Sequence, residues 1–235
     1  IVCLTCVVPL ITVISISVSS DSYIINHGYS ILPGKIDLTA YKYLFLYPKG
    51  LLRAYGVSLF VSLGGCAFSL LVTCMFSYAI SRKDFIFWKP FSLFVLFTML
   101  FNGGTVSNYI IVTNYYKLQD NILALILPYA IVPMYVLILR TFFSSVPKEI
   151  IESAKIDGAN ETYTFFHIVI FLSKPAVATV GLLILLLYWN DWWLGLLYIN
   201  DSKIFPIQLM LNNIMTNIEF LRTSTMGIAS SSIKA

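Results

Sequence analysis

The 235-residue chain is poor in charge: Asp, Glu, Lys and Arg make up 11% of it. Soluble domains carry about 25%. So few charges cannot clothe a water-facing surface around a chain that is 58% hydrophobic, which excludes an ordinary soluble domain. There are only 2 histidines and 4 cysteines. His27 and His167 have no clustered ligand partners, so no metal or cofactor is expected. Cys3, Cys6, Cys66 and Cys74 all fall in apolar runs and read as small apolar packers, in spite of the Cys3-x-x-Cys6 spacing. Walker A, G-x-S-x-G and H-E-x-x-H patterns are lacking. Neither ATP hydrolysis nor hydrolase chemistry is therefore expected of this chain. The basic excess, 15 Lys and Arg against 11 Asp and Glu, is small and spread out, which does not fit a nucleic-acid partner. No internal repeat is visible.

What the chain does have is long apolar runs. A spanning helix needs about 20 mostly apolar residues, at ~1.5 Å of rise per residue through a ~30 Å core. Five candidates stand out: 1 to about 18, 51–80, 90–112, 122–143 and 176–199. The fold class expected is all-α and polytopic. The second run is rich in small residues (Gly56, Ser58, Ser62, Gly64, Gly65, Ala67, Ser69), which permit close helix approach in lipid. Asn102-Gly103-Gly104 interrupts the third run, and Pro128 and Pro133 lie in the fourth. The 200–235 tail is polar and carries no further span.

Residues 144–175 form a charged stretch between the fourth and fifth candidate spans. Pro147 suits a helix start, with Glu149 and Glu152 near the positive end of the helix dipole. Asp157-Gly158 is a stop signal. Asn160 suits the cap of a second helix, with Phe165, Ile168 and Leu172 on one stripe. Helix, tight turn and helix are expected; on this pattern alone, an amphipathic loop resting on the membrane is an equal reading.

The spacing Glu152-Ser153-Ala154, Gly158 and Ile168 resembles the EAA loop of binding-protein-dependent ABC importer permeases: Glu-Ala-Ala, three residues, Gly, nine residues, Ile, one residue, Leu-Pro. Ser153 replaces Ala, and Ile170-Phe171 replaces Leu-Pro. Asp157-Gly158-Ala159 resembles the version common in the carbohydrate branch. The runs 77–82 (SYAISR) and 188–192 (YWNDW), and Asn102-Gly103-Gly104 with Asn108-Tyr109, are similar to that branch as well. The resemblance implies a type I ABC importer transmembrane domain over 1–235, with 144–175 as its cytoplasmic coupling loop. It implies a multi-pass subunit in the cytoplasmic membrane of a prokaryote, moving an oligosaccharide by alternating access. The implied partners are a cytoplasmic ABC ATPase pair, a second and paralogous permease, an extracytoplasmic sugar-binding protein and the lipid bilayer. Glu152, Ala154, Asp157, Gly158 and Ala159 become the ATPase-coupling residues, with Ala154 and Gly158 as a small face for close approach. The family usually has six spans, so five and an abrupt start point to a chain truncated at both ends.

Asn102, Asn190, Asp191, Trp192 and Trp193 are the candidate pathway residues. An ionisable group within a span is functional by default, although Asp191 reads equally as one end of a helix-helix hydrogen bond. Trp189, Trp192 and Trp193 form either an interfacial belt or a platform for a sugar's apolar face. If the fifth helix is continuous, Trp189, Asn190 and Trp193 share a face. Asn102-Gly103-Gly104 is a pathway kink or a packing notch. The competing classes are a secondary transporter or channel without an ATPase, and an intramembrane enzyme; repeats, several buried charges or a nucleophile-base pair would mark them, and none is seen.

Overall fold

The structure is a computed structural model that describes residues 2–20, 23, 24, 28, 30–46 and 48–232, with side chains described outside 2–6, 40, 43, 44 and 221–232. His27 and the side chains of Cys3 and Cys6 lie outside what is described. The chain divides into two compact units, Ile1–Leu52 and Arg53–Ala235.

In the first unit, α1 (Val2–Ser17) matches the first apolar run. A single antiparallel bridge, Ser19 to Ile36, is the only β-pairing among the described residues. The short α2 (Thr39–Leu46) starts where Asp37 Oδ1 accepts the Thr39 backbone N–H at 2.9 Å. The Thr39 hydroxyl and N–H together hold the Asp37 carboxyl below its usual range.

The second unit is built on α3 (Pro48–Ser81), whose 34 residues start within the first. Among the described residues this is the one unbroken helix long and apolar enough to cross a membrane. Its buried face is Ala54, Ser58, Val61, Ser62, Gly65, Ser69, Thr73, Cys74, Ser77 and Ile80, a helical period filled by small side chains. Gly56, Gly64 and Ala67 of the same small-residue run are exposed. Leu59, Phe60, Leu63 and Phe68 point outward, as hydrocarbon surroundings require.

The later apolar runs are bent at breaks rather than straight. Among the described residues, counting each bent pair as one span gives up to four, beside the short apolar helix Val7–Ser17. The third run splits into α4 (Trp88–Leu100) and α5 (Gly104–Tyr115), 113° apart. Asn102 Oδ1 accepts the Gly104 N–H at 3.0 Å, and Gly104 takes φ +79°, a conformation suited to glycine. The fourth splits into α6 (Leu123–Tyr129) and α7 (Pro133–Ser144), bent by 51°.

At this second break carbonyls accept bonds from α3 and the fifth run. Pro133 has no N–H for the carbonyl of Tyr129, four residues before it. Ser69 Oγ donates to that oxygen at 3.1 Å. At the same break Tyr188 Oη donates to the Ile126 carbonyl at 2.8 Å. In lipid such repairs are obligatory.

Between α7 and the fifth run lie α8 (Lys148–Ile156) and α9 (Glu161–Leu172). Then α10 (Lys174–Asn190) leaves α9 at 86°. The fifth helix was expected to reach residue 199. It ends at Asn190, and α11 (Trp193–Tyr198) follows a break at Asp191. The tail, expected without a further span, is a 26-residue helix, α12 (Ile207–Ser232). At ~1.5 Å per residue it is about 39 Å long. Its start is fixed by the Ile207 N–H donating to Ser58 Oγ at 2.8 Å. The core joins α3, α6, α7 and α10 through Val61, Leu125, Leu139, Phe143, Val180 and Ile184. Cys66 and Cys74 sit in it as free thiols, as expected.

Candidate functional site

The loop between α7 and α10 is a helix, a left-handed glycine and a second helix. Gly158 has φ +84°. Its N–H donates to Lys155 O at 3.1 Å, and the Ala159 N–H donates to Ala154 O at 2.9 Å. These are the paired bonds of a Schellman ending, with glycine at the left-handed position. Asp157 and Ala159 flank it, so three of the five expected coupling residues form the turn itself. Glu149 lies in the first turn and Lys155 in the last, both favourable to the helix dipole. Asn160 Oδ1 accepts the Tyr163 N–H at 2.7 Å and caps α9, as its position suggested.

Glu152 and Gly158 are exposed. Ala154 is not: at 8% exposure it packs inward. The expected small face of Ala154 and Gly158 is therefore not a surface. Instead α8 presents Glu152 and Ser153 beside Ile156, which is 86% exposed. A large apolar side chain that open on a short polar helix is the signal sequence reading missed. The stripe of α9 differs too. A π-helical stretch, Thr164–Val169, shifts the register, so Phe165 and Val169 are buried while Leu172 is exposed. His167 is exposed and stacks on Tyr163, 4.4 Å between ring centres. Among the described residues no cluster could hold a metal ion.

A second polar group ties this loop to α3. Glu161 Oε2 accepts from Tyr78 Oη at 2.6 Å, and Glu161 Oε1 lies 2.9 Å from Lys155 Nζ. The Tyr78 hydroxyl bond, and then Lys155, hold the Glu161 carboxyl below its usual range against partial desolvation.

The pathway candidates are only partly brought together. Asp191 lies in the break after α10. Its Oδ1 accepts from Tyr129 Oη at 3.1 Å, and its Oδ2 from the Leu194 N–H at 3.2 Å. It thus joins two broken helices and caps α11, which is the helix-helix reading. Asn190 is exposed, its side-chain amide donating to Leu186 O at 2.9 Å. Trp192 and Trp193 are exposed and meet edge to face at 5.6 Å. Since the helix ends between them, Trp189, Asn190 and Trp193 do not share one helical face. Asn102 stands in the α4–α5 elbow, its carboxamide oxygen engaged by Gly104.

A bundle of interrupted helices with a charged two-helix loop before the fifth is the build of an importer's membrane subunit. The chain belongs to the family described as binding-protein-dependent transport system inner membrane component, whose model matches residues 50–233. It is the permease component of an ABC transporter, and a secondary transporter or channel is not favoured. It is 40% identical over 215 residues to the polygalacturonan/rhamnogalacturonan transport system permease protein YtcP of Bacillus subtilis (strain 168), covering 90% of this chain and 73% of the relative. It is 37% identical over 208 residues to protein LplC of the same organism, covering 88% and 70%. A crystal structure of a bacterial ABC transporter involved in the import of the acidic polysaccharide alginate superposes with a TM-score of 0.85 at 26% identity, covering 95% of this chain and 81% of that one.

Proposed function

We propose that this permease imports an oligosaccharide bearing uronic acids, as a multi-pass subunit of a prokaryotic cytoplasmic membrane. One relative is named for polygalacturonan and rhamnogalacturonan transport, and one similar structure is of a transporter involved in the import of the acidic polysaccharide alginate; that pairing carries the reading. The chain works as one transmembrane domain, with 144–175 as the loop that meets a cytoplasmic ATPase pair. A second, paralogous permease and an extracytoplasmic sugar-binding protein complete the machine, and ATP is hydrolysed in the partner.

In this reading Ile156 is an apolar anchor for a cleft on the ATPase, ringed by Glu152, Asp157, Gly158 and Ala159. Ala154 acts from behind, its small side chain letting α8 pack close to the body. ATPase closure displaces α8, and the membrane helices rock about their breaks. Trp192, Trp193 and the exposed Asn190 offer a sugar ring an apolar surface and a hydroxyl partner. Asp191 fixes the break that presents them, and Asn102 shapes the opposite elbow.

The test is uptake of radiolabelled galacturonate oligomers by cells carrying or lacking the chain. Deletion should abolish uptake and the plasmid-borne chain restore it. Trp193→Ala should lower uptake at least fivefold with unchanged membrane content. Uptake of these oligomers independent of the chain, with a neutral oligosaccharide lost instead, overturns the uronate assignment.

A further inference from the structure

Tyr78, in the last turn of α3, is held at two points by α9. Its hydroxyl donates to Glu161 at 2.6 Å. Its ring lies against Phe165, 5.1 Å between centres, one turn further along α9. Phe165 is buried, so the ring contact is part of the core. Glu161 then reaches two more segments. Lys155 of α8 sits 2.9 Å from Oε1, and Arg82, just past the end of α3, sits 3.8 Å from the same oxygen. The Arg82 side chain is only 15% exposed; its guanidinium lies over the Tyr78 ring, 5.8 Å from the centre, and pairs with Asp84 at 3.1 Å. One carboxylate therefore joins α8, α9 and the end of α3.

Stability does not explain this arrangement. Glu161 and Lys155 are largely open to solvent, where single ion pairs contribute little. What the cluster supplies is a route. Motion of α8 reaches α10 through the chain itself, by way of the Gly158 turn and α9. It has no such covalent route to α3, which lies more than sixty residues upstream. A side chain gripped at both ring and hydroxyl transmits both push and pull. A hydroxyl-carboxylate bond is also directional, so it fixes the angle at which α9 meets α3.

We propose that Tyr78 and Glu161 form a latch that delivers displacement of α8 to α3, making them positioning residues for the transport step. The latch rests on the coupling role proposed above for α8. A route between two elements needs coupling evidence, not proximity alone.

The experiment is hydrogen-deuterium exchange on the intact importer complex, purified with its ATPase, with and without ATP and vanadate. In the wild-type complex both 148–157 and 76–84 should change exchange on trapping. In Tyr78→Phe and Glu161→Ala the response of 148–157 should persist, while that of 76–84 falls at least threefold. Tyr78→Phe keeps the ring contact, so loss of folding is not the cause. The double variant Lys155→Glu with Glu161→Lys restores the α8–α9 pair; it should recover part of the response that Glu161→Lys alone abolishes. A response at 76–84 that is unchanged in both single variants, or absent in the wild type while 148–157 responds, overturns the latch. No response at 148–157 in a wild-type complex that contains the ATPase overturns the coupling role of α8, and the latch with it.

Discussion

Gly158→Val and Glu152→Lys should each reduce import at least tenfold while leaving the subunit in the membrane at normal level. The two act by different means. Nothing lies within 4 Å of a β-carbon built on Gly158, so valine meets no steric wall. What it meets is φ +84°. A left-handed backbone costs an L-residue about 1–2 kcal/mol, and a β-branched one more. The chain then leaves α8 in another direction, and the bonds from Gly158 and Ala159 to the last turn are lost. Gly158→Asn should retain much of the activity, since asparagine tolerates this conformation. Glu152 is exposed and makes no ion pair among the described residues, so its reversal leaves the fold intact. On the proposed coupling role, it places a cation where a carboxylate is needed at the ATPase contact. Pull-down of the ATPase alongside uptake checks both. Normal association and normal uptake in both variants remove the loop from the coupling mechanism.

The second large effect is structural. A β-carbon on Gly65 would lie 2.9 to 3.1 Å from the ring of Tyr188. That ring is buried, and its hydroxyl is tied to the Ile126 carbonyl at 2.8 Å, so it cannot withdraw without giving up that bond. Gly65→Val should therefore cost overpacking, about 1–3 kcal/mol, and the bond to Ile126, another ~1–3 kcal/mol. Gly64→Val is the control: one residue away, a β-carbon there meets nothing within 4 Å. Thermal unfolding in detergent should show a midpoint several degrees lower for Gly65→Val and little change for Gly64→Val. Equal midpoints contradict the close contact of α3 with α10.

The contrast between these glycines marks how far sequence carries. Both stand in one small-residue run, and composition alone does not tell which faces a partner. The hydrophobic runs located α1, α3 and the starts of the later helices, because desolvation is written into composition. Gly158 and Asn160 were legible because turn and cap chemistry is local. The helix-helix bond of Asp191 was among its readings, but the break there was not legible, because the apolar run resumes after it and apolarity carries no sign of a helix end. Its partner Tyr129 lies 62 residues away and was not singled out. The apolar stripe of α9 was misread because a 3.6-residue period was assumed through a π-helical stretch. Ala154 was placed on the wrong side of α8 because a motif names residues, not faces. The helix of the tail was hidden by Asn212, Asn213, Asn217 and Glu219, which lower its hydropathy without opposing helix formation.

The central claim is that α8 is where this membrane subunit meets its ATPase. A photo-crosslinking amino acid at position 156, in the chain expressed with its native partners, reads that contact directly. A covalent adduct with a subunit carrying a Walker A sequence is expected, identified by mass spectrometry, with a yield that changes on ATP and vanadate. The same probe at Phe60, on the outward face of α3, should give none. An ATPase that co-purifies with the complex yet crosslinks no more at 156 than at 60 would contradict it.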